Sequence, residues 1–293
     1  MIEFKNVTAT LNSPVHPAVD QVSFQIQKGS ICGVVGAGGS GKTALLQLMA
    51  GSLQPDSGEI LVEGKQPGKD ASVRNRIICF RDNLSFPGTT KMDNVADIYA
   101  SIYPAFDFQK YRYLTDFFSL DTKKPYDQLP LSMCRLGFLV LSLASRPDYL
   151  FLDEILSGLD RGTCQLVKRF LCEEALERKA TIVLTSHSLA SLKDACDQLI
   201  LLENGKLIYN SDDRDSKMPY FRIQTAFRDG ENYKKEDFGP MDIRQMVRHG
   251  SVLEFIVCGK KKEIVSAFQK KNPLFLDVFP LSLEDVFNYE VNY

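Results

Sequence analysis

Residues 36–43 read GAGGSGKT, a glycine-rich run that closes on one lysine and one threonine. It fits GxxxxGK[ST] in full, from Gly36 through Gly41 and Lys42 to Thr43. Gly36, Gly38, Gly39 and Gly41 allow backbone N–H groups to turn inward around phosphate oxygens, with Ala37 and Ser40 completing the loop. Lys42 is suited to neutralise β and γ phosphates, and the Thr43 hydroxyl is suited to Mg²⁺. A chance glycine turn could match the same letters, so the flanks decide. Ile31 to Val35 (ICGVV) is apolar on both faces, as a central parallel strand must be, and Thr43 to Met49 is an amphipathic helical run. Strand, glycine loop and helix in that order make a phosphate site.

Outward from the loop, the N-terminal residues alternate apolar and polar (Ile2, Phe4, Val7, then Val22, Phe24, Ile26), the period of half-buried strands. Glu59–Val62 and residues 77–80 are further strands, with turns at Asp56-Ser57-Gly58 and Glu63-Gly64-Lys65. From Thr90 to Ser119 the pattern becomes helical and aromatic, predicting an α-helical insert with packed rings. An α/β rhythm then returns: helix Leu136–Ala144, strand Tyr149–Leu152, helix Cys164–Glu177, strand Thr181–Leu184, helix Leu189–Cys196, strand Gln198–Leu202. That alternation predicts a mostly parallel sheet with helices on both faces. The expected fold is therefore α/β, a P-loop NTPase with an N-terminal antiparallel β subdomain and a helical insert at about 84–135. The polar stretch 211–217 reads as a linker between a nucleotide-binding domain at 1–210 and a small α+β domain at 218–293. In the second domain, strands are expected near 219–225, 252–258 and 274–279, with helices near 260–270 and from Leu283.

Composition excludes several classes. The formal net charge of -2 arises from interspersed acids and bases, so no broad positive field is present to hold nucleic acid. The longest apolar stretch, Leu136 to Ala144, falls short of the ~20 residues of a membrane span. The N-terminus MIEFKNVTAT shows no basic start and no apolar h-region, so no secretion signal is read there. Seven cysteines without a CxxC pair, beside three histidines, indicate neither zinc nor a disulfide framework but a reducing cytosol and mostly buried thiols. Lys260-Lys261-Lys262 reads as a solvated helix start.

Two more stretches carry chemistry. Tyr149-Leu-Phe-Leu-Asp153-Glu154 is a buried strand ending in two acids, where P-loop enzymes place the Mg²⁺ carboxylate. Asp153 suits the metal, and Glu154 then points toward a γ-phosphate and can orient or deprotonate the attacking water. His187, just after the strand TIVLT, lies at the same sheet edge and is read as a γ-phosphate contact.

The glycine loop, YLFLDE, Ser157-Gly158-Leu159-Asp160 and LTSHS, in this order, resemble the nucleotide-binding subunit of ABC transporters over about residues 1–210. SGLD is similar to the family's D-loop, and DQLILLENGKLIYN to its closing strand pair. PLSLEDVFNYEV resembles the tail of the branch serving type-two exporters of drugs, lipids or antimicrobial and amphipathic peptides. The resemblance implies ATP and Mg²⁺ as cofactors, with Lys42, Glu154 and His187 catalytic and residues Gly36 to Thr43 holding the nucleotide. It also implies a second such domain that closes over the nucleotide, and a separate permease that seats the chain at the cytoplasmic face of the membrane.

This sequence departs from the pattern at several points. The LSGGQ signature that should face the partner's nucleotide falls at Leu129 to Met133, which reads LPLSM; a frame two residues later reads LSMCR. Pro130 removes a backbone donor, and neither frame has a glycine to let the backbone approach phosphate. The adenine-stacking aromatic falls at Leu11, with His16 as a substitute. The glutamine-loop residue falls at Asp82, which can ligate Mg²⁺ but, ionised, only accepts hydrogen bonds. The proline that usually follows the catalytic glutamate is Ile155. The hydrolytic half is thus intact and the trans-acting half eroded, which leaves homodimer and heterodimer both open. The rival readings are a non-transport ABC ATPase of repair or translation, and a regulatory module that holds ATP with little hydrolysis.

Overall fold

The computed structural model describes residues 1–11, 17–81, 89–212, 220–228, 233–281 and 285. The chain divides into two compact units, Met1–Asp213 and Arg214–Tyr293.

In the first unit, β1 (Ile2–Ala9) pairs antiparallel with both β2 (Val19–Ile26) and β4 (Ser57–Val62) to form a three-stranded sheet. Its inward residues alternate as expected, and Phe4 stacks on Phe24 with ring centroids 4.5 Å apart. The larger sheet has the order β5-β6-β7-β3-β8-β9, built from β3 (Ile31–Val35), β5 (Ile77–Phe80), β6 (Tyr149–Leu152), β7 (Thr181–Ser186), β8 (Gln198–Glu203) and β9 (Lys206–Asn210). All pairs are parallel except the closing β8/β9 pair. β3, β6 and β7 are buried at every position, which is why they read as unbroken apolar runs.

α1 (Lys42–Met49) follows β3, and the short α2 (Ala71–Arg74) precedes β5. Between β5 and β6 the chain makes α3 (Met92–Ile102), α4 (Phe108–Phe117) and α5 (Leu131–Ala144). The helical run expected from Thr90 to Ser119 is therefore two helices. They break at Tyr103-Pro104, where proline cannot continue a helix. Some rings of the insert are buried, Tyr111 among them, whereas Tyr113 and Phe117 are exposed. α5 starts five residues before the expected Leu136, because Pro130 occupies its N-cap position and Leu131 begins the first turn. From Leu136 to Ala144 it is buried all round, so its apolar character has no single stripe.

α6 (Arg161–Arg178) also starts earlier than expected, capped by Asp160, whose side chain accepts from Thr163 N. α7 (Leu189–Leu192) is shorter than expected. Beyond it the chain turns so that Asp197 and Ile31 exchange hydrogen bonds, Asp197 N donating to Ile31 O and Ile31 N to Asp197 Oδ2.

The second unit is a four-stranded antiparallel sheet, order β11-β12-β10-β13, with α8 (Lys261–Gln269) packed on one face. Its strands are β10 (Tyr220–Ala226), β11 (Asp242–His249), β12 (Val252–Cys258) and β13 (Phe275–Pro280). β11 is an addition to the expected elements; DIRQMVRH lies at a sheet edge, half-exposed, and shows no clear alternation. Ile223, Phe238, Phe255, Ile264 and Phe268 form the core of this unit. The expected 211–217 linker and the terminal helix from Leu283 fall almost entirely outside the described residues.

Among the described residues no helix is long and apolar enough to cross a membrane. The cysteines are free thiols. Burial pushes those of Cys79 and Cys196 up to about 12.

Candidate active site

Sheet order brings the chemistry together. β3 lies beside β7, and β7 beside β6, so the C-terminal ends of three neighbouring parallel strands carry the glycine loop, Thr185 to His187, and Asp153-Glu154. This is the edge at which open α/β sheets bind ligands.

The glycine loop is built around two tight approaches. A Cβ at Gly36 would fall 2.4 Å from Leu202 O and from Ser40 Oγ. Gly41 has φ +103° at the N-cap of α1, and a Cβ there would sit 2.2 Å from Ala18 O. Gly38 and Gly39 face open space. The loop opens on a cavity of about 290 Å³ lined by Leu11, Gly38 to Thr43, Asp153, Glu154 and His187 among others.

Lys42 is almost fully buried; its Nζ donates to Gly36 O at 2.7 Å and to Ala37 O at 3.0 Å. Nζ also lies 3.2 Å from His187 Nδ1 and 3.9 Å from Glu154 Oε1. Burial lowers the Lys42 pKa from its ordinary value, opposed by the carboxylates of Glu154 and Asp153. His187 Nε2 is 3.1 Å from Glu154 Oε1. His187 Nδ1 also lies 3.1 Å from Gly36 O, and the His187 backbone N–H donates to Glu154 Oε2 at 3.4 Å, so this residue joins the loop to the carboxylate.

Asp153 is held at both oxygens. Thr43 Oγ1 donates to Oδ2 at 2.8 Å, and Thr185 Oγ1 donates to Oδ1 at 2.6 Å. Glu154 N donates to the same Thr185 hydroxyl at 3.0 Å. Glu154 takes φ +49°, a conformation that a non-glycine residue keeps only where its surroundings impose it. Burial raises the Glu154 carboxyl pKa above the ordinary range, opposed by His187 and Lys42. That direction suits a base that must take a proton near neutral pH.

The residues fit MgATP. Ser40 Oγ, inside the loop, is buried and makes no hydrogen bond within the protein, so a polar donor there is left for a ligand. Lys42 supplies charge to a phosphate cradle of backbone N–H groups. The Thr43 hydroxyl and Asp153 carboxylate are hard oxygen donors of the kind Mg²⁺ takes beside phosphate. Bound Mg²⁺ would neutralise charge on the β and γ phosphates.

Thus the structure gathers Gly36 to Thr43, Asp153, Glu154 and His187, and sets Leu11 at the wall of the same cavity. Asp82 and His16 lie outside the described residues. Thr185 was missed by the sequence reading, although it ties Asp153 and Glu154 to β7. Its signal was a hydroxyl two positions before His187 at a central strand's end.

The sequence profile of the family described as "ABC transporter" matches residues 19–157. The ABC transporter ATP-binding protein YtrB of Bacillus subtilis (strain 168) is 29% identical over 287 residues, 98% of this chain and 97% of that protein. A probable sulfate/thiosulfate import ATP-binding protein CysA of Chlorella vulgaris is 30% identical over 198 residues, 65% of this chain and 83% of that protein. Among solved structures, the dimeric ATP-binding cassette MJ0796 bound to ADP and Pi superposes with a TM-score of 0.63 at 20% identity, covering 72% of this chain and 98% of that one.

Proposed function

This chain belongs to the ABC transporter family, and on that premise we propose that Lys42, Thr43, Asp153, Glu154 and His187 bind and hydrolyse MgATP to drive a separate membrane permease. The observation that carries the reading is the convergence of these five side chains at one sheet edge, with both Asp153 oxygens oriented by hydroxyls. Backbone N–H groups of Gly38 to Thr43 and the Lys42 ammonium hold the phosphates. Thr43 and Asp153 hold the metal, and Leu11 flanks the nucleobase side. Glu154 accepts the water proton, and the His187 backbone N–H, which donates to Oε2 at 3.4 Å, helps fix the direction of that carboxylate.

A second nucleotide-binding domain completes the site. The start of α5, where the signature falls, presents Pro130, Leu131 and Ser132 without glycine, so the donors it offers a partner's phosphate are few. The partner is either a copy of this chain or a different one with an intact signature. Turnover per chain that rises steeply with protein concentration assigns the copy. Attachment to the membrane is peripheral, through the permease.

The finer reading is export, carried by the resemblance of PLSLEDVFNYEV to the exporter branch. The import protein CysA matches 65% of the chain, whereas YtrB, whose name gives no direction, matches 98%. Uptake of candidate cargo into inside-out vesicles carrying the permease tests the direction.

The function itself is tested by equilibrium titration with MgATP and by phosphate release from the purified protein. Saturable binding abolished in Lys42→Ala, together with turnover, is expected. Lack of saturable binding, or a Lys42→Ala protein that binds normally, refutes the reading. Co-purification with a polytopic membrane protein, rather than ribosomes or DNA, separates transport from repair or translation.

A further inference from the structure

Arg135 is a charged side chain buried in the first turns of α5, and the hydrolytic reading does not use it. Its Nη1 donates to the carbonyl of Ser157 in the turn that follows Glu154. Ser157 N in turn donates to the Glu154 carbonyl at 3.0 Å. On its other side Glu154 N is held by Thr185 Oγ1 at 3.0 Å, and the residue sits at φ +49°. The strained backbone that aims the Glu154 carboxylate is therefore clamped from β7 through Thr185 and from α5 through Arg135. Cys164, at the start of α6, points its Sγ at Leu156 O and Leu159 O of the same turn, at 3.5 and 3.7 Å. These thiol contacts are weak beside one from a guanidinium.

Burying a guanidinium against a backbone carbonyl carries a desolvation cost that an apolar residue would avoid. Its distinctive return here is geometric, because it joins two segments with separate duties. One is the start of α5, only four residues before Arg135, which on the reading above faces the partner's nucleotide. The other is the turn that orients this chain's own base.

We propose that Arg135 is a positioning residue. It transmits the placement of the α5 start to the Glu154 turn, so that the carboxylate is aligned when the neighbouring nucleotide is engaged. The proposal rests on Glu154 acting as the base, and its consequence is a kcat effect with little effect on MgATP affinity.

The experiment compares Arg135→Gln, Arg135→Lys, Glu154→Gln and the double variant Arg135→Gln/Glu154→Gln in the full chain, by MgATP titration and steady-state turnover. A misplacement of the base predicts kcat lower by about tenfold or more in Arg135→Gln, at a KM within about threefold, since small displacements of reacting groups cost up to about a hundredfold. Arg135→Lys, which keeps one donor, falls between Arg135→Gln and the parent. In the Glu154→Gln background the Arg135→Gln change costs nothing further, because it acts through the group already removed. A purely structural role would instead lower binding and turnover together and add in the double variant, and either result overturns the proposal. If Arg135→Gln does not fold, Arg135→Lys decides: kcat lowered about threefold with the loss absent beside Glu154→Gln supports the proposal, and unchanged kcat overturns it. Unchanged turnover in Glu154→Gln alone would instead sink the hydrolytic reading beneath it.

Discussion

Replacing Glu154 by glutamine keeps the shape of the side chain and removes its charge, and the structure gives two opposed consequences. The first is on chemistry. Without a proton acceptor, kcat should fall by about 10² to 10⁴, the contribution usual for a positioned base, or roughly 3 to 5 kcal/mol of barrier. The second is on binding. Lys42 Nζ lies 3.9 Å from Glu154 Oε1, and at an effective dielectric near 20 two unit charges at that separation attract by about 4 kcal/mol. A phosphate must compete for that ammonium, and it also meets the repulsion of the carboxylate. If about a third of that attraction is released, the rest being offset by screening and by the metal's counter-charge, the gain is about 1.4 kcal/mol, or tenfold in affinity. Glu154→Gln should therefore bind MgATP about tenfold more tightly while hydrolysing it far more slowly. Titration under non-turnover conditions and a phosphate-release assay measure the two effects on one preparation. A kcat within threefold of the parent, or an affinity that weakens, refutes the reasoning.

Further outcomes follow from neighbouring contacts. Thr43→Val removes the 2.8 Å bond to Asp153 and a proposed metal ligand, so the Mg²⁺ concentration for half-maximal turnover should rise by about tenfold or more; a metal titration at fixed ATP reads it, and no shift excludes Thr43 from the metal site. Because the Glu154 pKa is raised and its base form is the active one, kcat/KM should fall as pH drops through a value above the ordinary carboxylate range, and a profile flat from pH 8 to below 5 would contradict that. Phe255→Ala empties a fully buried site ringed by Phe238 and Phe268 at 4.8 and 5.0 Å, which should cost the second unit about 3 to 5 kcal/mol. Calorimetry should show that loss as a lowered transition, and an unmoved one refutes it.

The phosphate loop was legible because its chemistry is local: the glycines, Lys42 and Thr43 are contiguous, and the apolar strand before them announces its burial. Asp153 and Glu154 were legible for a similar reason, since a buried apolar run must end in something, and two acids at its end are costly without a purpose. Contacts across the sheet were not. That Lys42 shares Glu154 with His187 depends on β7 lying between β3 and β6, a neighbour relation no local period encodes. Thr185 escaped notice because threonine is at home in any strand. Arg135 was read only as a letter of a degraded signature; nothing in LSMCR reveals that its guanidinium reaches Ser157. The start of α5 was placed late because Pro130 carries none of the side-chain caps that mark a helix N-terminus.

β5 and β6 are adjacent parallel strands, and the whole excursion through α3, α4 and α5 leaves from the end of one and returns to the start of the other. Both attachment points are thus anchored in the same layer, on neighbouring strands but at opposite edges, since Phe80 lies beside Leu152 and Tyr149 beside Ile77. Such a detour can be lengthened, shortened or resurfaced without changing the order of the six strands that assemble the reactive groups. The fold separates the part free to diversify from the part that must stay fixed.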